Sequence, residues 1–251
     1  KLSENTYVIF TSDNGGMEGS SKERYTDNHP LARGKISAME GGTRVPLIIA
    51  GPGIEGGIQT DVMANGLDFY PTILSMAGIL KPAHKPLDGC DLTPLLKEDP
   101  TNPSLVRHSD GAIRDTMVWH FPHGNALEST IRVGDFKLVR NYDYAANPET
   151  KKLELFQLYQ TEDGKQKRVD IEEAKSLTAV MPAKAQEMDV LLTQELEEMK
   201  ASYPAYNPDT IASLPNKEKV PAILRHIQRE GGVDFTYETK GAKVVHADLI
   251  Y

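Results

Sequence analysis

Two short apolar runs set the strongest limit on what this chain can fold into. Residues 7–10 (Tyr-Val-Ile-Phe) and 45–50 (Val-Pro-Leu-Ile-Ile-Ala) are too short for helices and lack polar alternation. Each therefore reads as a strand buried on both faces, as in an α/β sheet covered by helices. The first run passes through Thr11-Ser12 into Asp13-Asn14-Gly15-Gly16, and the second stops at Gly51-Pro52-Gly53. In open α/β sheets ligands collect just beyond the carboxyl ends of strands. A carboxylate beside an amide carbonyl there offers hard oxygens suited to Ca²⁺ or Mg²⁺. In isolation, the same Asp-Asn-Gly is an ordinary turn.

Between the two strands, residues 17–34 are polar and glycine-bearing, a loop long enough to suggest a functional role. A helix is expected over 68–77, with Pro71 in its first turn, Gly78 at its C′ position and Asp68 as its cap. Residues 81–103 are Pro-rich and charged, and read as an excursion or linker. Farther on, residues 129–133 and 136–139 flank Gly134-Asp135 as a β-hairpin, and 153–158 can add a strand. The spacing of Met181, Ala185, Met188, Leu192, Leu196 and Met199 predicts a helix over 182–202 with an apolar core face. Beyond Tyr203 the pattern is irregular, with a short basic segment at 225–229.

Composition limits the function classes. A chain of 251 residues with net charge −8 lacks the clustered Lys and Arg that nonspecific nucleic-acid binding needs. Its one cysteine, Cys90, excludes an internal disulfide framework, and no apolar stretch approaches membrane-spanning length.

Several pieces of the sequence, in order, resemble the formylglycine-dependent sulfatases of the alkaline phosphatase superfamily. They are Val8-Ile9-Phe10-Thr11-Ser12-Asp13-Asn14-Gly15-Gly16 and Pro30-Leu31-Ala32-Arg33-Gly34-Lys35, followed by Glu40-Gly41-Gly42-Thr43-Arg44-Val45-Pro46. Asp68-Phe69-Tyr70-Pro71-Thr72 and Leu87-Asp88-Gly89-Cys90-Asp91-Leu92 complete the set. A weaker likeness runs through Trp119–His123 and 131–138 and fades after about Pro208. The family's nucleophile motif, Cys/Ser-x-Pro/Ala-x-Arg, is absent from this sequence, as are the family's further upstream aspartates. The resemblance is thus to the C-terminal half of such an enzyme. Cys90 lies outside any modification motif and reads as a small packed residue.

The fold this implies is α/β: part of an alkaline-phosphatase-like mixed sheet flanked by helices, then a small α+β subdomain with an antiparallel sheet and a packed helix. The expected divisions are 1–103 for the catalytic portion, 104–208 for the subdomain and 209–251 for an irregular tail. The implied activity is hydrolysis of sulfate esters by a formylglycine nucleophile located upstream, so the chain alone is expected to be inactive.

By the same resemblance, Asp13 and Asn14 ligate a divalent cation, Ca²⁺ by family habit with Mg²⁺ as an alternative. Lys35 contacts a sulfate oxygen and offsets charge developing on the transferred group. His123 is a candidate for a substrate hydroxyl or sulfate; His29 and His120 are weaker candidates. Glu40, Gly41, Gly42 and Arg44 are expected to brace the loop of Lys35, with Arg33 as possible support. Ile36 stands where the family commonly has glycine. The implied partners are a sulfated small molecule or carbohydrate and the missing N-terminal half of the same enzyme, without nucleic acid or a membrane span. The implied setting is periplasmic or extracellular. Two other readings remain open at the level of sequence: a phosphate mono- or diester hydrolase of the same superfamily, and a degenerate module without catalysis.

Overall fold

The computed structural model describes residues 2–17, 26–82, 84–124, 126–145, 147–162, 165–205, 221–229 and 232–241. It divides into two compact units, one of Lys1–Tyr142 with Lys151–Tyr203, the other of Asp143–Thr150 with Pro204–Tyr251.

In the first unit, β1 (Val8–Thr11) pairs antiparallel with β2 (Leu47–Ala50), Ile9 opposite Ile49. These strands were expected to be buried on both faces. Instead they alternate, with Val8 59%, Phe10 60% and Ile48 60% exposed. Among the described residues β1 and β2 pair only with each other, so one apolar face and both outer edges lie open. Between them sits α1 (Glu40–Thr43), a single buried turn.

The helix α2 (Phe69–Met76) is entered from a 3-10 turn at Gly66–Asp68 and left at Gly78, whose φ of 68° suits glycine. Asp68 was expected to cap this helix, but its side chain makes no capping bond to α2. It closes a capping box with Asn65, accepts the Cys90 amide, and forms a buried two-pronged ion pair with Arg114 at 2.7 and 2.9 Å. The stretch expected to be a linker is packed: it contains α3 (Thr93–Lys97), and Cys90, Leu92 and Leu95 form a small core with Val106.

A four-stranded antiparallel sheet follows, in sequential order: β3 (Thr116–Phe121), β4 (Glu128–Val133), β5 (Phe136–Asn141) and β6 (Leu153–Gln157). The register sorts its residues by face, because directly opposed residues share a side. Val118, Ile131, Leu138 and Leu155 stand in one row. After the short hairpin β7 (Tyr159–Glu162) and β8 (Lys165–Arg168) comes α4 (Pro182–Glu198), and Ile131, Leu138 and Leu155 pack on its Ala185, Met188, Leu192 and Leu196. The helix ends earlier than expected, leaving Met199 beyond it and exposed. The opposite face of the sheet carries Glu128, Arg132, Lys137 and Phe156.

The second unit corrects the expectation of an irregular tail over its described residues, and the rest of 209–251 lies outside them. Its strands β9 (Ala222–Arg229) and β10 (Gly232–Glu238) form an antiparallel hairpin, with a shift in register at Thr236/Tyr237.

Candidate functional site

The polar end of β1 turns immediately. The Asp13 carboxylate accepts the Asn14 amide at 3.0 Å, and the Ser12 hydroxyl donates to the Asn14 carbonyl at 2.9 Å. The loop of Lys35 docks directly on this turn: the Lys35 amide donates to the Gly16 carbonyl at 3.0 Å. Asn28 ties the same two segments together. Its amide side chain accepts from Gly16 N and donates to the carbonyls of Gly16 and Arg33. The structure thus brings Asp13, Asn14 and Lys35 into one backbone-bonded cluster.

Glycine is required here because backbone packs on backbone. Gly15 donates to the Gly42 carbonyl at 3.0 Å, and Gly41 donates to the Ala32 carbonyl at 2.9 Å. A Cβ on Gly15 would collide with the Gly41 carbonyl, and one on Gly41 with the carbonyls of Ala32 and Arg33. Three segments that look like separate motifs in the sequence are therefore one interlocked unit. The departure at Ile36 also has a structural meaning. Its φ is 75°, the left-handed region that glycine enters freely and a β-branched residue does not. The loop keeps the glycine-like turn, at a strain cost of about 1–3 kcal/mol.

The far face of the four-stranded sheet grips this unit. Glu40, at the start of α1, pairs with Arg44 at 2.6 Å and with the wholly buried Lys137 at 2.9 Å. Lys137 also pairs with Glu173 at 2.8 Å, and the other oxygen of Glu173 accepts the Glu40 amide at 2.7 Å. Burial pushes the Glu40 carboxyl up, but the attraction of Lys137 and then Arg44 outweighs it and brings the pKa down to about 2. For Glu173 burial prevails over Lys137, and its pKa is raised. The expected brace of Glu40 with Arg44 is present; Lys137 and Glu173 complete it from 97 and 133 residues downstream. The buried Glu128 accepts from Arg33, Ser37 and Ala38.

The histidines separate. His120 is held on the α4 side of the sheet, bonded to the Ser129 hydroxyl at 2.6 Å and the Ser202 carbonyl at 2.8 Å. His123 is exposed, its ring 4.3 Å from that of Phe121, and a Cβ on neighbouring Gly124 would lie 3.8 Å from Ile36. The β3–β4 turn thus approaches the residue next to Lys35. His29 is exposed, its amide bonded to Asp27.

Whether these residues suit a divalent cation depends on their donors. Asp13 and Asn14 present hard oxygens, and the second Asp13 oxygen has no hydrogen-bond partner among the described residues. The donor type fits Ca²⁺ or Mg²⁺, but two side chains fall short of the six to eight oxygens Ca²⁺ takes. No group of three or more His, Cys, Asp or Glu side chains placed to hold a metal occurs among the described residues. The pair fits as part of a shared site. Lys35 is exposed, and among the described residues its ammonium has no ion-pair partner. Sequence reasoning named this cluster but missed Glu128, Lys137 and Glu173. A partial signal lay in 128–132, where Glu128 and Arg132 fall on the face opposite Ile131; around Lys137 there was none, since Val139 shares its face and Arg140 that of Leu138, and Glu173 lies on neither strand.

Residues 1–79 match the family model described as Sulfatase. A sulfatase of Formosa agariphila is 38% identical over 125 residues, covering 48% of this chain and 20% of that protein. Arylsulfatase K of Xenopus laevis is 30% identical over 212 residues, covering 82% of this chain and 34% of the relative. N-acetylgalactosamine-6-sulfatase of Canis lupus familiaris is 39% identical over 97 residues, or 38% of this chain and 19% of that protein. The chain thus spans about a fifth to a third of the length of these relatives. Among solved structures, one from Bacteroides fragilis described as a candidate sulfatase superposes with a TM-score of 0.54 at 20% identity, covering 79% of this chain and 37% of that one. A chain from a glycosaminoglycan-metabolising locus of Bacteroides thetaiotaomicron gives a TM-score of 0.53 at 23% identity, covering 77% and 39%. These likenesses bear on the fold, which is the α/β architecture with a C-terminal antiparallel sheet described above.

Proposed function

This chain is part of a sulfatase-family protein, and we propose that it supplies one side of an active site that hydrolyses sulfate esters to alcohol and sulfate. The observation that carries the proposal is the docking of the Lys35 loop on the Asp13–Asn14 turn through Gly16. In this reading Asp13 and Asn14 hold a Ca²⁺ ion jointly with residues outside this sequence. Such an ion supplies Lewis acidity toward a sulfate oxygen, and a formylglycine upstream supplies the nucleophile. Lys35 donates to another sulfate oxygen and offsets charge developing as the ester bond breaks. His123 reaches from the β3–β4 turn toward the alcohol portion of a sulfated small molecule or carbohydrate. A periplasmic or extracellular setting goes with this reading.

The open apolar face of β1 and β2 supports an upstream partner segment from the same polypeptide. Val8, Phe10 and Ile48 are exposed on that face, among the described residues the outer edges of β1 and β2 are unpaired, and an isolated two-stranded sheet is marginal in water. Covering that face would complete the sheet and bring the remaining ligands to Asp13 and Asn14. The 251-residue chain alone is expected to be inactive.

The test is the full-length protein with an aryl sulfate such as p-nitrophenyl sulfate, alongside sulfated saccharides. Turnover should require the divalent cation and fall roughly 100-fold or more in Lys35→Ala with the melting temperature unchanged. Full turnover by Lys35→Ala, or by the 251-residue chain alone, would refute the proposal.

A further inference from the structure

Glu128 is a carboxylate with no exposed surface, at the start of β4. Burying a carboxylate is unfavourable unless several donors meet it, and among the described residues all of them come from one segment. Arg33 Nη1 donates to one oxygen at 3.0 Å; Ser37 Oγ and the Ala38 amide donate to the other at 2.7 and 2.6 Å. These donors flank Lys35 on both sides. Between them the chain runs through left-handed conformations at Arg33 (φ 57°) and Ile36 (φ 75°). A free loop lacking glycine at those positions would leave such conformations. The carboxylate is therefore bonded across the base of a strained arc that has Lys35 near its apex.

We propose that Glu128 is a positioning residue for Lys35, holding the loop in this arc so that Lys35 stays docked on Gly16 beside the Asp13–Asn14 turn. The proposal rests on the reading of Lys35 as a sulfate contact. It assigns Glu128 no contact with substrate. The residue transmits the rigidity of the antiparallel sheet to a loop that cannot keep its own shape. Asn28, bonded to both Gly16 and Arg33, closes the arc on the opposite side.

Amide hydrogen exchange on the full-length protein separates a local clamp from general support. In Glu128→Ala the amides of Lys35 and Ala38 should exchange about tenfold faster or more, while those of Ile131 and Leu138 keep wild-type rates. Glu128→Gln retains an oxygen for Ser37 and Ala38 and should restore most of the protection. Ser37→Ala, which removes one donor and leaves the carboxylate in place, gives the same local signature more weakly if Glu128→Ala does not fold. Uniform acceleration through the sheet, or an unchanged Lys35 amide, overturns the proposal. In the full-length protein, Glu128→Ala should lower kcat for p-nitrophenyl sulfate about 100-fold with little change in KM. Combined with Lys35→Ala it should cost nothing further, whereas multiplying losses would overturn the positioning role. If Lys35→Ala alone leaves kcat unchanged, the reading of Lys35 fails, and hydrogen exchange still decides whether Glu128 holds the loop.

Discussion

Replacing Lys137 by Met tests the brace beneath the site. Lys137 is wholly buried between two carboxylates, 2.9 Å from Glu40 and 2.8 Å from Glu173. Met keeps most of the volume and removes the charge. Glu40 retains Arg44, but among the described residues Glu173 keeps only the Glu40 amide on its other oxygen. Breaking a buried pair by deleting one partner costs about 3–5 kcal/mol, or roughly 6–20 °C in melting temperature for a domain of this size. The pH dependence adds a second signature. In the wild type the Glu40 pKa falls from 4.5 to about 2, so its contribution of roughly 3 kcal/mol is present above pH 4.5 and lost as the pH drops toward 2. Without Lys137 that depression largely disappears, and the variant has less to lose in acid. The gap between the two proteins should therefore narrow by about 2 kcal/mol from pH 7 to pH 3. Urea unfolding followed by far-UV circular dichroism measures this. Trp119 fluorescence is a poorer probe, because Lys137 lies 5.7 Å from that ring. A variant as stable as the wild type at pH 7, or a gap that widens in acid, would refute the account of the brace.

Further expectations concern packing around the site. Gly41→Ala should destabilise by about 1–3 kcal/mol through its clash with the carbonyls of Ala32 and Arg33, while Gly56→Ala, with open space around it, should be neutral by the same urea titration. Arg114→Met should cost about 3–5 kcal/mol by stranding the buried Asp68 carboxylate. Burial raises the Cys90 pKa, so the thiol in the wild type should react with a disulfide reagent only as fast as the protein opens, and faster in Arg114→Met. Reaction of native Cys90 at the rate of a free thiol would contradict its placement.

Much of this was legible because local rules and packing agreed. Gly134-Asp135 between two apolar-alternating runs marked the β4–β5 turn, and Gly134 indeed sits at φ 53°. The stripe of Ala185, Met188, Leu192 and Leu196 marked α4 and its buried face. The turn at Asp13 and the loop at Lys35 were legible only as motifs; that they touch through Gly16 depends on backbone contacts that no periodicity records. Val8 and Phe10 misled because a short apolar run looks the same whether both faces are covered or only one. Glu128, Lys137 and Glu173 escaped notice because an isolated charged residue reads as solvated surface, and only the fold brings its partners to it. The β9–β10 hairpin was overlooked although β10 alternates, Val233, Phe235 and Tyr237 with Asp234, Thr236 and Glu238; only β9 mixes charged and apolar residues without a clean period.

The clamps on the Lys35 loop come late in the chain, which bears on how the protein is made. Ala38 is held by a residue 90 positions later, and Glu40 by residues 97 and 133 positions later. At ribosomal speeds of about 5–20 residues per second, the loop emerges roughly 5–20 s before Lys137 exists to hold it. During that interval Arg33 and Ile36 have only the local bonds through Gly16 and Asn28, without the Glu128 carboxylate, to keep them in left-handed conformations. The loop takes its shape only after β4, β5 and the segment bearing Glu173 have left the ribosome and folded. A nascent chain stalled before Glu128 would carry every residue of the Lys35 loop without the carboxylate that clamps it.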